Sequence, residues 1–492
     1  MTNLNTFLLS LPTPKFFKEL DVYEKSFNVV NGDYIFIFKS DSKDLIVATG
    51  NLANLFEGTS SNLDDLTYVI AETNHKNMSA LRKLFPFTKP KPVLREKRSF
   101  GLGDRLGLAG EGHLKTMEKY DAFPILAQQS MRELTLTNRT YEDVLDAASL
   151  AVFKMGFTRG FGADGDHLKT AKDIEYALSI GYSMITLDTS DYIRNDVNHM
   201  SNDEINAEIS LNDYYKDTYL DKSFNVGEFV ISFDELSLKK SILIYNSSID
   251  YSVEIYNKFF KNNDDVDFEL SIDETATPTE LVQHFFIANE LYSKGVKLAT
   301  IAPRFQGEFQ KGIDYIGDIK VFEDELKVHV AIAEHFGYKL SIHSGSDKFS
   351  IFEIIGRETK GHFHVKTAGT NWLEAVKVVA VEDAKLYREI HKFALESFDD
   401  AKKLYHVTTN LGNIPSVDIL KDSELVHLFD NNDARQLLHI TYGHILTAKD
   451  DNGNSLFGEK LFELWHEYSD TYAKLLENHI GKHLELLYKG FE

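Results

Sequence analysis

From about residue 98 onward the chain repeats one pattern: a short apolar run, a polar cluster, then a longer stretch with apolar positions at helical spacing. The runs are SFGLGD (99–104), FPILAQQS (123–130), RGFGADGD (159–166), SMITLDTSD (183–191), DFELSIDE (267–274), LATIAPRF (298–305), KLSIHSGSD (339–347) and HFHVKTAG (362–369). Short apolar runs that alternate with helical segments read as parallel strands in βαβ units. Eight of them predict a (β/α)8 TIM-type barrel of the α/β class. Helix starts agree. Thr140 with Asp143, and Thr170 with Asp173, have capping-box spacing, and Thr277-Pro278-Thr279-Glu280 offers a cap, a proline for the first turn and a capping acid.

Outside the repeat the pattern changes. Residues 1–92 read as a separate N-terminal α+β module, in which DYIFIFKSDSKDLIVATGN (33–51) is a hairpin around a polar Ser/Asp turn. Three of the nine prolines fall in FPFTKPKPVLREKRS and mark a boundary near 86–97, so the barrel takes 93–492. Between the fourth and fifth runs, about 191–266 reads as an insertion large enough to cover the barrel mouth. From about 380 the chain reads as helices packing outside the barrel. The tetrad His-Leu-Lys-Thr occurs at 113–116 and 167–170, too little to establish a duplication.

Composition narrows the chemistry. A chain of 492 residues exceeds one ordinary core, and 43% hydrophobic with 12% aromatic residues is a globular composition. A formal net charge of -23 opposes nucleic acid and anionic membranes, while a local basic pocket can still take a small anionic substrate. The absence of cysteine excludes disulfides, thiolate nucleophiles and cysteine-ligated metals, so any metal must rest on His, Asp, Glu or neutral oxygens. The first residues carry a short apolar patch and no basic leader. No segment approaches the roughly 20 apolar residues of a membrane span, so a cytoplasmic protein is expected.

Barrel enzymes carry their catalytic groups at the C-terminal ends of the strands. Here those ends hold Asp104 and Arg105; Gln128, Gln129 and Ser130; Asp164, Asp166, His167 and Lys169; Asp188, Ser190 and Asp191; Asp273 and Glu274; Arg304, Gln306 and Glu308; His343, Ser344, Ser346 and Lys348; and Lys366, Thr367 and Asn371. The opposite ends are much blander. Two histidines on separate strands plus a carboxylate form an ordinary ligand set for a divalent metal of zinc, manganese or nickel type. His167, His343 and Glu308 are the expected ligands, with Gln306 as the alternative to Glu308 and His113 and His364 as rivals. Asp166 and Glu274 are the expected acid–base pair. Arg105, Arg304, Lys348 and Lys366 are candidate clamps for a substrate carboxylate or phosphate, and Gln129, Lys169 and Asp188 are further substrate contacts. GLGDRLG has Leu106 where a dinucleotide fingerprint needs its third glycine, and in GLAGEGHLKT the lysine does not follow a glycine, so no nucleotide cofactor is expected.

GFGADGDHLKT (160–170), IAPRFQGEFQKGIDYIGD (301–318) and HVKTAGTNWLEA (364–375) together resemble the tagaturonate epimerase family, from about Phe100 to the end. The resemblance implies metal-dependent interconversion of D-tagaturonate and D-fructuronate in hexuronate breakdown. It also implies Asp166 as proton acceptor, Glu274 as proton donor, and His167 and His343 as metal ligands, with a third ligand in RFQGEF. The centre that inverts is β to the ketone, so its C–H is not acidified and enolisation cannot invert it. A retro-aldol step can: a base takes the hydroxyl proton, the bond to the α-carbon breaks to an aldehyde and an enediolate with the metal as electron sink, the aldehyde turns, and the bond reforms.

Overall fold

The computed structural model describes residues 2–11, 13–14, 21–40 and 43–492. Eight parallel strands close into a barrel: β1 (Arg98–Leu102), β2 (Phe123–Ser130), β3 (Gly162–Leu168), β4 (Met184–Asp188), β5 (Asp267–Ile272), β6 (Thr300–Pro303), β7 (Lys339–Ile342) and β8 (Phe363–Thr367), with β8 pairing back onto β1. Each overlaps a run read as a strand from sequence. Eight helices follow them in turn: α1 (Gly110–Met117), α2 (Tyr141–Met155), α3 (Ala171–Ile180), α4 (Glu235–Phe259), α5 (Leu281–Ser293), α6 (Ile319–Phe336), α7 (Phe349–Glu358) and α8 (Thr370–Glu382). The apolar faces of α1–α7 and the outward strand residues form one continuous core.

The caps at Thr140 and Thr170 form as the spacing predicts, each side chain accepting from the Asp three residues on. The third does not. The cap of α5 is Glu280, and Thr279 is drawn instead into paired hydrogen bonds with the Arg304 backbone. The insertion after β4 is also shorter than its sequence suggests, because 235–259 is α4, packed beside α5 in the outer ring. What remains is short helices and a hairpin (Ser223–Val226 with Phe229–Ser232). It lies along α5, where Tyr219, Phe224 and Phe233 pack on Phe285 and Phe286, rather than over the mouth.

Before the barrel, five strands form an antiparallel sheet in the spatial order 28–30, 33–39, 44–49, 66–72, 58–63. The sequence-predicted hairpin is its centre; the tip of its turn, residues 41 and 42, lies outside the described residues. The helix His75–Leu84 and this sheet bury Phe85, Met78 and Leu81 against Phe153 of α2. Two largely buried ion pairs cross the seam, Arg82 Nη1 to Asp146 Oδ1 at 2.6 Å and Lys154 Nζ to Asp44 at 2.7 Å, and Glu111 of α1 holds the same ammonium at 2.5 Å. After the barrel come α9 (Ala384–Lys402), α10 (Asn432–Ile440), α11 (Tyr442–Thr447), α12 (Gly458–Glu467) and α13 (Ser469–Lys489). They form a second apolar cluster on α8, and α13 lies against α1 and α7.

Lys154 is only 10% exposed, and removing it strands two carboxylates with little solvent access. Lys154→Ala is expected to destabilise the fold by about 3–5 kcal/mol, read from urea unfolding. A loss within 0.5 kcal/mol would show that the seam holds without it.

Candidate active site

Strand parity decides what faces the inside of the barrel. Side chains alternate along a strand, so 186 and 188, 269, 271 and 273, 341 and 343, and 364 and 366 share the inner face, as do 164 and 166 through the pairings Gln128↔Asp164 and Ser130↔Asp166. Parity breaks once. Between Gly165 and Leu168 the register of β3 on β4 shifts by one residue, and His167 takes φ +55°. This bulge lets the adjacent residues Asp166 and His167 both face the mouth. Ser344 and Asp347, after β7, are also left-handed, at φ +50° and +62°. Such conformations cost energy and collect at functional sites.

The inner residues build a polar stack. At its centre Lys366 Nζ reaches Asp164 Oδ2 at 2.7 Å, Asp166 Oδ1 at 2.8 Å, Glu269 Oε1 at 2.8 Å and Thr186 Oγ1 at 2.5 Å. Above it, Asp166 Oδ1 lies 2.8 Å from His167 Nδ1, and Glu269 Oε1 lies 2.8 Å from His343 Nε2. Each imidazole is thereby held by a carboxylate on one nitrogen and turns the other toward Asp273. His167 Nε2 is 3.7 Å from Asp273 Oδ1, too long for a good hydrogen bond. His343 Nδ1 is buried without a hydrogen-bond partner among the described residues, although Asp273 Oδ2 is 3.3 Å away. The ligand atoms of His167, Asp273 and His343 all lie within 4.8 Å of one another. Imidazoles braced from behind by carboxylates, with their free nitrogens converging on a third carboxylate, fit a divalent cation.

The charges are tightly balanced. Burial pushes Asp164 up to about 7, against the pull of Lys366, while Asp166 and Glu269 add repulsion. Asp166 goes the other way: burial would raise it, but Lys366 and His167 hold it well below the usual carboxylate range. Burial would likewise lower His167, and the carboxylates of Asp166 and Asp273 raise it well above its ordinary value.

These groups open into a cavity of about 520 Å³ at the C-terminal end of the barrel, lined also by Glu274, Lys169, Asp188, Arg105, Arg132 and Lys311. Tyr405 and His439 reach it from the C-terminal extension, whose helices the sequence reads as packing outside the barrel. A larger groove of about 1000 Å³ at the opposite end of the barrel holds none of the sequence-predicted site residues.

The structure corrects several expectations. Glu308 is not brought to the histidines: it bonds the side chains of Gln310 and His406 in a side cavity, and Gln306 turns toward Glu325. Asp273 stands in their place. Gln129 has outward parity and is buried with its amide on the Gln128 carbonyl; Gln128 faces the cavity instead. Lys348 is fully buried and donates to the carbonyls of Gln310, Ile313 and Ser346, as many acceptors as an ammonium can use, so it is no clamp. Burial pulls it down to about 7, and Asp347 opposes that. Lys366 is saturated by three carboxylates, and Arg105 by Glu133 and the face of Tyr442. Arg304 gives its guanidinium to the Thr275 carbonyl and lines only the side cavity. Lys169 and Asp188 do line the main cavity, with Lys169 bonding Ser190 and Asp191. His364 lies deeper in the barrel on Ser99, and His113 lies on α1 beside Asp104, so neither rival joins the cluster.

An eight-stranded barrel with a histidine–carboxylate cluster at its C-terminal mouth defines an enzyme of the barrel class. A family model described as tagaturonate epimerase matches residues 23–487. The chain belongs to the tagaturonate epimerase family and is an isomerase-class enzyme. It is 40% identical over 476 residues to a tagaturonate/fructuronate epimerase of Thermotoga maritima, covering 95% of this chain and 97% of that one. Crystal structures of a fructuronate-tagaturonate epimerase from Cohnella laeviribosi superpose with a TM-score of 0.94 at 47% identity for a one-glycerol complex and 0.93 at 46% for the native form, each covering 99% of both chains.

The ligand geometry is tested by metal content. Asp273→Ala and His343→Ala, dialysed against manganese and analysed by mass spectrometry, are expected to take up less manganese than the unaltered protein, whereas Glu308→Ala takes up as much. Retention by Asp273→Ala with loss in Glu308→Ala would reverse the assignment.

Proposed function

We propose that the protein interconverts D-tagaturonate and D-fructuronate by breaking and remaking the carbon–carbon bond beside the inverting centre, as a cytoplasmic enzyme of hexuronate breakdown. The observation that carries this reading is the convergence of His167, Asp273 and His343, with two further carboxylates, Asp166 and Glu274, on the same cavity. The names of the Thermotoga and Cohnella relatives support the substrate pair.

A divalent cation of zinc, manganese or nickel type, bound by His167, Asp273 and His343, would supply Lewis-acid stabilisation of the negative charge that develops at the ketone end of the substrate. The remaining work falls to side chains. The inverting hydroxyl loses its proton on one face and regains one on the other, so two proton carriers are needed. Glu274 is exposed at the mouth and makes no hydrogen bond or ion pair among the described residues, which leaves it free to trade a proton. Asp166 is the second. Lys366 and His167 occupy its Oδ1, and its Oδ2 accepts no hydrogen bond among the described residues. Those same donors make Asp166 the weaker base, so its other task is to hold His167 in its tautomer. Asp188 and Lys169 face the same space and can bond sugar hydroxyls.

Turnover in heavy water is expected to leave the inverted carbon free of deuterium, since its C–H is never broken; deuterium there, seen by NMR, would overturn the retro-aldol reading. Chelation is expected to abolish activity, and divalent metal to restore it. Glu274→Gln is expected to lower kcat by about 10²–10⁴-fold with metal content unchanged, the range for loss of a general acid or base. Asp166→Asn is expected to lose metal affinity as well, by about 10–100-fold. Wild-type kcat in Glu274→Gln would remove it from the mechanism.

A further inference from the structure

Five cations line the mouth, and they are not alike. Arg105 is paired with Glu133, Lys169 with Asp191, and Lys366 with three carboxylates. Arg132 and Lys311 make no ion pair among the described residues. Arg132 lies over the Tyr405 ring at 5.0 Å, and Lys311 Nζ donates to Ser344 Oγ at 3.1 Å. Both line the main cavity and the side cavity that adjoins it at Asp273, Glu274 and His343. Burial lowers Lys311 from its ordinary value, and Arg132 and Arg105 repel it further, although Glu133 and Glu274 pull the other way. Next to them stands His439, buried, with neither ring nitrogen hydrogen-bonded among the described residues and its basicity far below the ordinary value through burial and the repulsion of Arg105 and Lys311. It is a neutral imidazole with an N–H to give. Gly369 is required beside it: a Cβ there would sit 2.0 Å from His439 Nε2. In a mouth otherwise rich in carboxylates, two uncompensated cations and an unspent N–H form a site for an anion.

We propose that Arg132 and Lys311, with His439 beside them, bind the carboxylate of the substrate and hold the aldehyde fragment in place while it turns. This rests on the uronate reading above and extends it. In the cleavage, the bond between the hydroxyl carbon and the α-carbon breaks, its electron pair passes to the α-carbon side as an enediolate, and the hydroxyl proton passes to a carboxylate of the enzyme. The substrate carboxylate lies at the far end of the chain from the ketone, so it stays on the aldehyde fragment, two bonds from the new carbonyl carbon. An anchor there leaves the carbonyl free to present its other face and keeps the fragment from leaving. Reclosure reverses each transfer, so no outside reactant is needed. Ser344 follows the candidate ligand His343 directly, so Lys311 stands one residue from the cluster that receives the ketone end.

The test is the double variant Arg132→Leu/Lys311→Met of the full-length, metal-loaded protein, with Lys311→Arg as the conservative control. On D-tagaturonate, kcat/KM is expected to fall by at least about 100-fold, as for truncated charge pairs, with melting temperature and metal content unchanged. Free aldehyde acid, trapped with phenylhydrazine, is expected to appear per turnover at several times the wild-type level. Lys311→Arg is expected to recover most of the activity. Wild-type kcat/KM in the double variant, or a loss with no gain in trapped aldehyde and no recovery in Lys311→Arg, would overturn the carboxylate assignment. Failure of the wild-type protein itself to interconvert the uronates would instead sink the reading on which this one rests.

Discussion

The site depends on one ammonium. Lys366 sits in the barrel between Asp164, Asp166 and Glu269, all buried. Taking ions out of water costs several kcal/mol each, and such a group persists only where attraction and hydrogen bonds offset that cost. Thr186 and Thr300 add the hydrogen bonds. Two of the three carboxylates then act upward, each fixing one histidine. Without Lys366 the carboxylates would repel one another, the bracing of His167 and His343 would loosen, and the cluster with Asp273 would lose its geometry. An interior charge network here sets the orientation of the groups above it.

Much of this was legible in the chain, and the illegible part has a definite cause. The strands were readable because each apolar run is short and bounded, and His167 and His343 because they fall at the ends of such runs. Asp273 was readable too: it shares parity with Glu269 and Ser271 along β5, whereas Glu308 lies in a loop beyond β6 where parity carries no information. The role of Lys366 was not readable, since its partners come from β3 and β5 and only the closed barrel brings them together. Lys348 failed for a similar reason. Its position after β7 resembles a site residue, but the left-handed turn at Asp347 sends its side chain into backbone carbonyls. The bulge in β3 is likewise hidden, because nothing in GADGDHL states that one residue will be left unpaired.

The C-terminal extension gains meaning from the mouth. A barrel closes its active site with loops after its strands, and here the loop after β6 supplies Gln310 and Lys311. Gln310 is gripped from the extension by Thr408 and Gln436, and the same region delivers Tyr405 and His439 to the cavity. The apolar cluster of α8–α13 is therefore the foundation on which one wall of the site stands. Changes in that cluster, far from the histidines, can displace the wall without touching the cation cluster.

The net charge of -23 bears directly on how an anionic sugar is held. At physiological ionic strength the Debye length is about 8 Å, so the exposed acidic surface is largely screened beyond that distance and sets no strong barrier at the mouth. Around the more buried groups of the cavity screening is much weaker, and the nearest charges decide. Most carboxylates there are already committed: three to Lys366, Glu133 to Arg105, Asp191 to Lys169, and Asp273 to the histidines, while Glu274 stays unpaired among the described residues. Arg132 and Lys311 are left without an ion pair among the described residues, with Glu133 and Glu274 attracting Lys311 only from a distance. An arrangement that withholds internal partners from two cations, in a chain with acids to spare, is one in which the substrate itself completes the charge balance of the site.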